Sequence, residues 1–117
     1  MSENSPQALI DRGFLRACGG QEVPAVMPVK VSLAGRSLLV CRGEDGFFTV
    51  DELCPHKQES MAYGVVHGGK IICPHHQYSF DLHTGKCNIR RCAPLQTYAT
   101  ELSDDGDVYV KPSLAAG

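Results

Sequence analysis

Two short segments carry the residues that could do chemistry: Cys54-Pro55-His56 and, after sixteen intervening residues, Cys73-Pro74-His75-His76. Each supplies one thiol and one imidazole, as C-x-H and C-x-x-H. Thiolate and imidazole are ligands for borderline-soft metal ions, and the prolines place both segments in loops. A Cys₂His₂ zinc finger groups its ligands by type, cysteine with cysteine and then histidine with histidine. Here the types are crossed. A binuclear centre would need that arrangement if one metal ion took both cysteines and the other both histidines. On these residues alone, tetrahedral zinc and a binuclear iron centre stand level.

The flanking residues separate the two. Cys73-Pro-His-His-Gln-Tyr-Ser-Phe-Asp81 with Leu82-His-Thr-Gly85, and Asp51-Glu-Leu-Cys-Pro-His56, resemble the two cluster loops of the Rieske ferredoxin family. Ala93-Pro94-Leu95-Gln-Thr-Tyr98 sits where that family has a proline-containing loop over its cluster. The resemblance runs from about residue 10 to residue 111. It implies a [2Fe–2S] cluster held by Cys54, His56, Cys73 and His76, since two histidines replace two cysteines in a Rieske centre. It also implies an all-β fold, a Rieske-type antiparallel β-sandwich with a small rubredoxin-like cluster-binding subdomain. The chain is then a single domain, 1–117, with the cluster-binding part at about 52–95.

That resemblance implies an electron carrier, and not an enzyme. An NAD(P)H-dependent flavin reductase would supply one electron at a time and a terminal oxygenase would accept it. High-potential Rieske proteins carry a disulfide between the cluster loops and hydroxyls that hydrogen-bond to the cluster sulfurs. The matching positions here are Glu59 and His75 for the disulfide, and Tyr78 and Phe80 for the hydroxyls. Fewer hydrogen bonds to sulfur destabilise the reduced cluster and place its potential at the low end of the range, roughly -150 mV. Gln77 departs from the glycine that commonly follows the second ligand histidine. The alternatives are the small subunit of an assimilatory nitrite reductase, which shares the fold, and a structural zinc-bound module.

Composition agrees with this without pointing to it. A chain of 117 residues with net charge -2 offers no basic field for nucleic acid or an anionic membrane. Met1 to Gln7 lacks a basic segment followed by an apolar one, and no apolar run is long enough to span a bilayer. The expected location is the cytoplasm. Of the other four cysteines, Cys18 and Cys41 read as small buried residues. Cys87 and Cys92 flank the proline loop, with free thiols as the default and a disulfide as the alternative. His67 and His83 read as ordinary strand and turn residues, and His75 as a surface neighbour of the site. Lys57, Gln58, His75 and Gln77 are expected to rim the electron port, and Arg90-Arg91 to face either solvent or an acidic partner.

The elements that must position these loops are short strands. Phe14–Cys18, Val29–Leu33, Ser37–Arg42, Phe47–Val50, Gly64–His67, Lys70–Cys73, Gln77–Leu82, Leu95–Leu102 and Val108–Lys111 are β-rich, and several are joined by Gly-containing turns. Residues 6–13 have apolar content for one helical turn at most.

Overall fold

A computed structural model of the chain describes residues 3–55, 58–74, 78–89 and 92–112. Its strands are β1 (Leu15–Gly19), β2 (Val29–Leu33), β3 (Arg36–Gly43), β4 (Gly46–Asp51), β5 (Val65–His67), β6 (Lys70–Ile72), β7 (Ser79–Asp81), β8 (Thr97–Tyr98), β9 (Thr100–Leu102) and β10 (Asp107–Val110). They form three antiparallel sheets of order β1-β10-β9, β2-β3-β4-β8 and β5-β6-β7. The all-β expectation holds.

Strand β3 explains how the sheets stack. Leu38, Leu39, Val40 and Cys41 are all fully buried, a continuous apolar run rather than an alternation. Such a run fits a strand covered on both faces. Successive side chains point to opposite faces. Leu38 and Val40 accordingly join Val108, Val110 and Tyr98 in one core, while Leu39 and Cys41 join Cys54, Cys73, Ile71 and Phe80 in the other. The site-bearing sheet is thus packed against the rest of the molecule through alternate residues of one strand. Burial pushes the Cys41 thiol up to about 12, so it behaves as the small apolar residue expected of it.

Two-residue turns fix register where the sequence placed them. Ala34-Gly35 (φ 51° and 77°) joins paired Leu33 and Arg36, and Gly68-Gly69 (φ 59° and 76°) joins paired His67 and Lys70. Positive φ at both central positions matches the twist of the flanking strands.

The structure departs from expectation at both ends of the chain. Leu95–Leu102 is not one strand: β8 pairs with β4 and β9 with β10, the chain changing sheets at Ala99, whose carbonyl accepts from Lys111 N–H at 3.0 Å. Strands that switch sheets form the corners of packed sheets. Near the N-terminus, Pro6–Asp11 forms a helix, longer than the single turn expected. Ser5 Oγ accepts from Ala8 N–H at 3.3 Å, Pro6 pre-sets the first turn, and Gln7 donates to Asp11 at 2.9 Å. Its one fully buried residue, Leu9, packs with Phe14 and Tyr109. No helix among the described residues is long and apolar enough to cross a membrane.

Glycine substitutions test the packing. At Gly85 (φ 78°) a Cβ would lie 2.0 Å from the Leu95 carbonyl oxygen, whereas at Gly35 (φ 77°) it would meet nothing within 4 Å. Gly35→Ala should cost only the left-handed backbone penalty, about 1–2 kcal/mol. Gly85→Ala should cost more, because it also forces residues 85 and 95 apart. Urea unfolding of the two variants, side by side, checks the order.

Candidate functional site

The two cysteine-bearing loops share one backbone closure. Cys54 N–H donates to the Glu59 carbonyl at 2.8 Å, and Cys73 N–H donates to the Tyr78 carbonyl at 2.7 Å. Each cysteine thereby begins a loop that returns to it five residues later. Gln58 N–H donates back to the Cys54 carbonyl at 2.7 Å, which holds Gln58 in the left-handed region at φ 58°. Strain at a non-glycine residue beside a ligand loop persists only when its surroundings over-determine it.

Both thiols are buried, Cys54 at 0% and Cys73 at 1% exposure, in one core with Met61, Ile71, Phe80 and Leu95. The structure therefore brings together the two cysteines that the sequence singled out. His56 and His76, with Lys57, His75, Gln77, Arg90 and Arg91, lie outside the described residues. Gln58, the remaining rim residue, is exposed. Two thiolates in apolar surroundings are stable only beside a compensating cation, so this donor pair suits the cysteine-ligated iron of a [2Fe–2S] cluster.

A buried carboxylate braces the first loop. Glu52, 8% exposed, accepts from Ser60 Oγ at 2.7 Å and faces Lys30 Nζ at 3.3 Å. Ser60 Oγ also accepts from Ala62 N–H at 3.1 Å, and the Glu52 carbonyl accepts from Met61 N–H at 2.8 Å. Leu53 and Ser60 form a bridge between these contacts, so the neck of the loop is fastened on both strands. Ser60's hydrogen bond, and after it Lys30, hold the Glu52 carboxyl below its ordinary range against the opposing effect of burial. Neither Glu52 nor Ser60 stood out in the sequence. Their signal is only a carboxylate and a hydroxyl at either end of the loop.

The second loop passes into a capped turn and a cover. Asp81 Oδ1 accepts from His83 N–H at 2.8 Å and Thr84 N–H at 3.0 Å, and these bonds, Thr84's first, lower its pKa. His83 is more than an ordinary turn residue: its Nε2 lies 3.2 Å from Asp45 Oδ2, and its ring lies 4.4 Å from that of Phe48. Leu95 N–H donates to the Gly85 carbonyl at 2.8 Å, closing residues 85–95 into a loop. The segment that leaves it is stitched to the stretch before Cys54 by Asp51 N–H to the Gln96 carbonyl at 3.1 Å and by Tyr98 OH to Asp51 Oδ1 at 2.5 Å. Burial first, and Asp51 second, push the Tyr98 phenol up to about 12.

An open groove of about 650 Å³ runs between Leu53, Pro55 and Gln58 on one side and Pro94, Leu95 and Gln96 on the other. Its two carboxylates are already committed, Asp51 to Tyr98 and Glu52 to Ser60 and Lys30. They are anchors and not an acid–base pair.

Comparison with known proteins places this geometry. The model of the Rieske [2Fe-2S] domain matches residues 13–99. The ferredoxin component of a naphthalene 1,2-dioxygenase system from Pseudomonas putida is 33% identical over 78 residues, 63% of this chain and 72% of the relative. Among solved structures, the Sphingomonas yanoikuyae B1 ferredoxin superposes with a TM-score of 0.77 at 31% identity, covering 86% of this chain and 99% of that one. A chain from a complex of reduced oxygenase and oxidized ferredoxin in carbazole 1,9a-dioxygenase gives a TM-score of 0.79 at 27% identity, covering 90% and 98%.

Ser60→Ala should destabilise the protein by about 1–3 kcal/mol, because it leaves the Glu52 carboxylate and the Ala62 N–H without their shared partner. A lowered folded-state pKa means that Glu52's contribution is complete above its ordinary value of 4.5 and is lost as pH falls through the lowered one. The variant should therefore lose less stability than the parent on acidification, as read from urea midpoints at neutral and acid pH.

Proposed function

The chain belongs to the Rieske [2Fe–2S] domain family, and on that footing we propose that it is the one-electron carrier of a terminal oxygenase system. The observation that carries this reading is the pair of buried thiols, Cys54 and Cys73, at the heads of two loops with the same closure. Cys54 and Cys73 would hold one iron of the cluster, and His56 and His76 the other. The cluster supplies reversible one-electron chemistry when bound. The chain's own residues fix the thiols in a buried core, brace the first loop through Glu52 and Ser60, and set Pro94 and Leu95 across a groove from Leu53, Pro55 and Gln58.

The electron's source in this reading is a flavin-dependent ferredoxin reductase, and the setting is the cytoplasm. The chain acts as one domain, with residues of about 52–95 bearing the cluster; β3 serving both cores supports this. A low potential, roughly -150 mV, follows from the residues at the two hydroxyl positions. Phe80 is fully buried and has no hydrogen to give a sulfide, and Tyr78 packs against the same core.

Cys54→Ser and Cys73→Ala should each lose the cluster, and with it much of the domain's stability, because metal binding and folding are coupled. Iron and acid-labile sulfide analysis reads the first effect and thermal unfolding the second. In the parent, the midpoint potential should fall as pH rises through the pKa values of imidazoles on the oxidised centre, since oxidation favours loss of their outer protons. Voltammetry from neutral to alkaline pH checks this, and a flat profile would remove His56 and His76 from the ligand set. Rapid mixing with a flavin ferredoxin reductase and an oxygenase tests the carrier role. Reduction by the one and oxidation by the other are expected, and failure of both would end the proposal.

A further inference from the structure

Cys87 and Cys92 lie at opposite ends of the cover loop. Both are free and half-buried, and both pack on the core that contains Cys54 and Cys73. Cys87 forms a bridge with Phe80, so it is fixed to the strand that leaves the second ligand loop. Cys92 is fixed from the other side by its N–H to the Ile89 carbonyl at 3.0 Å, one residue before Ala93-Pro94. The two thiols are five residues apart and lie against the same core, and Cys87 is one of the neighbours that act on the Cys92 thiol. The bond between Leu95 N–H and the Gly85 carbonyl has already brought the chain around them into a closed loop.

We propose that Cys87 and Cys92 form a reversible disulfide that latches the cover loop beside the cluster-binding cysteines. Closure brings the two sulfurs to a bond of ~2.05 Å. Little further chain entropy is lost, because the loop's ends are already tied. The reaction balances with hydrogen peroxide as oxidant: the two thiols give up two hydrogens and two electrons, an S–S bond forms, the O–O bond breaks and two waters leave. A bond that closes so short a loop gains little from restricting the unfolded chain, which keeps it within reach of thiol reductants. The remaining cysteines do not compete. Cys18 and Cys41 are buried in other parts of the two cores, and Cys54 and Cys73 are the pair assigned to iron.

The sequence provides a direct assay, because trypsin cuts after Lys86, Arg90 and Arg91 and so separates Cys87 from Cys92. Cluster-loaded protein would be treated with a small excess of hydrogen peroxide, weighed intact, and then blocked with iodoacetamide and digested. The expected result is a loss of about 2 Da per chain. The peptide Cys87-Asn-Ile-Arg90 should be joined to the one beginning at Cys92, with cluster absorbance retained and the mass restored by dithiothreitol. Cys92→Ser should keep the absorbance and lose the mass change. Blocked thiols at both positions, oxygen adducts in place of a cross-link, or a disulfide to Cys54 or Cys73 with bleaching would each overturn the proposal.

Discussion

The site depends on one constraint, the burial of two thiols at the heads of loops whose backbones return to them. Cys54 and Cys73 sit in a core of Met61, Ile71, Phe80 and Leu95, where their N–H groups are satisfied by Glu59 and Tyr78. Backbone polar groups in such surroundings must find partners. The return bonds provide them while leaving both side chains in one core. The Glu52–Ser60 brace, the left-handed Gln58 and the Asp81 cap all serve to keep these two loops in place.

The remainder of the fold transmits that order. Strand β3 faces the site-bearing core with Leu39 and Cys41 and the outer core with Leu38 and Val40. A change in either core is felt through the same strand, since packed interiors deform little. The cover is coupled to the first loop by Tyr98 and Asp51, and to the second by Gly85 and Leu95. Three sequence-distant segments therefore meet at the site by hydrogen bonds and not by packing alone.

Much of this was legible in the sequence because chemistry and turn geometry leave local signatures. The two cysteines, the Gly68-Gly69 and Ala34-Gly35 turns, and the Phe80-Asp-Leu-His-Thr-Gly85 turn each announce themselves by residue type. Gly85 is a clear case: it needs both a positive φ and the absence of a Cβ against Leu95. What was not legible depends on contacts between distant segments. Nothing within Leu95–Leu102 says that the chain leaves one sheet at Ala99, because pairing to β4 or β10 is decided elsewhere. The Lys30–Glu52–Ser60 brace and the Asp45–His83 contact have the same character. The helix over Pro6–Asp11 exceeded its apolar content because capping by Ser5 and the burial of Leu9 alone are enough to seat it.

The most direct test of the account is EPR of the dithionite-reduced protein, with iron and acid-labile sulfide measured on the same sample. Two cysteine and two histidine ligands predict a rhombic signal whose average g lies below that of an all-cysteine ferredoxin, with iron and sulfide each at about two per chain. An EPR-silent protein that holds one zinc ion and no sulfide would contradict it.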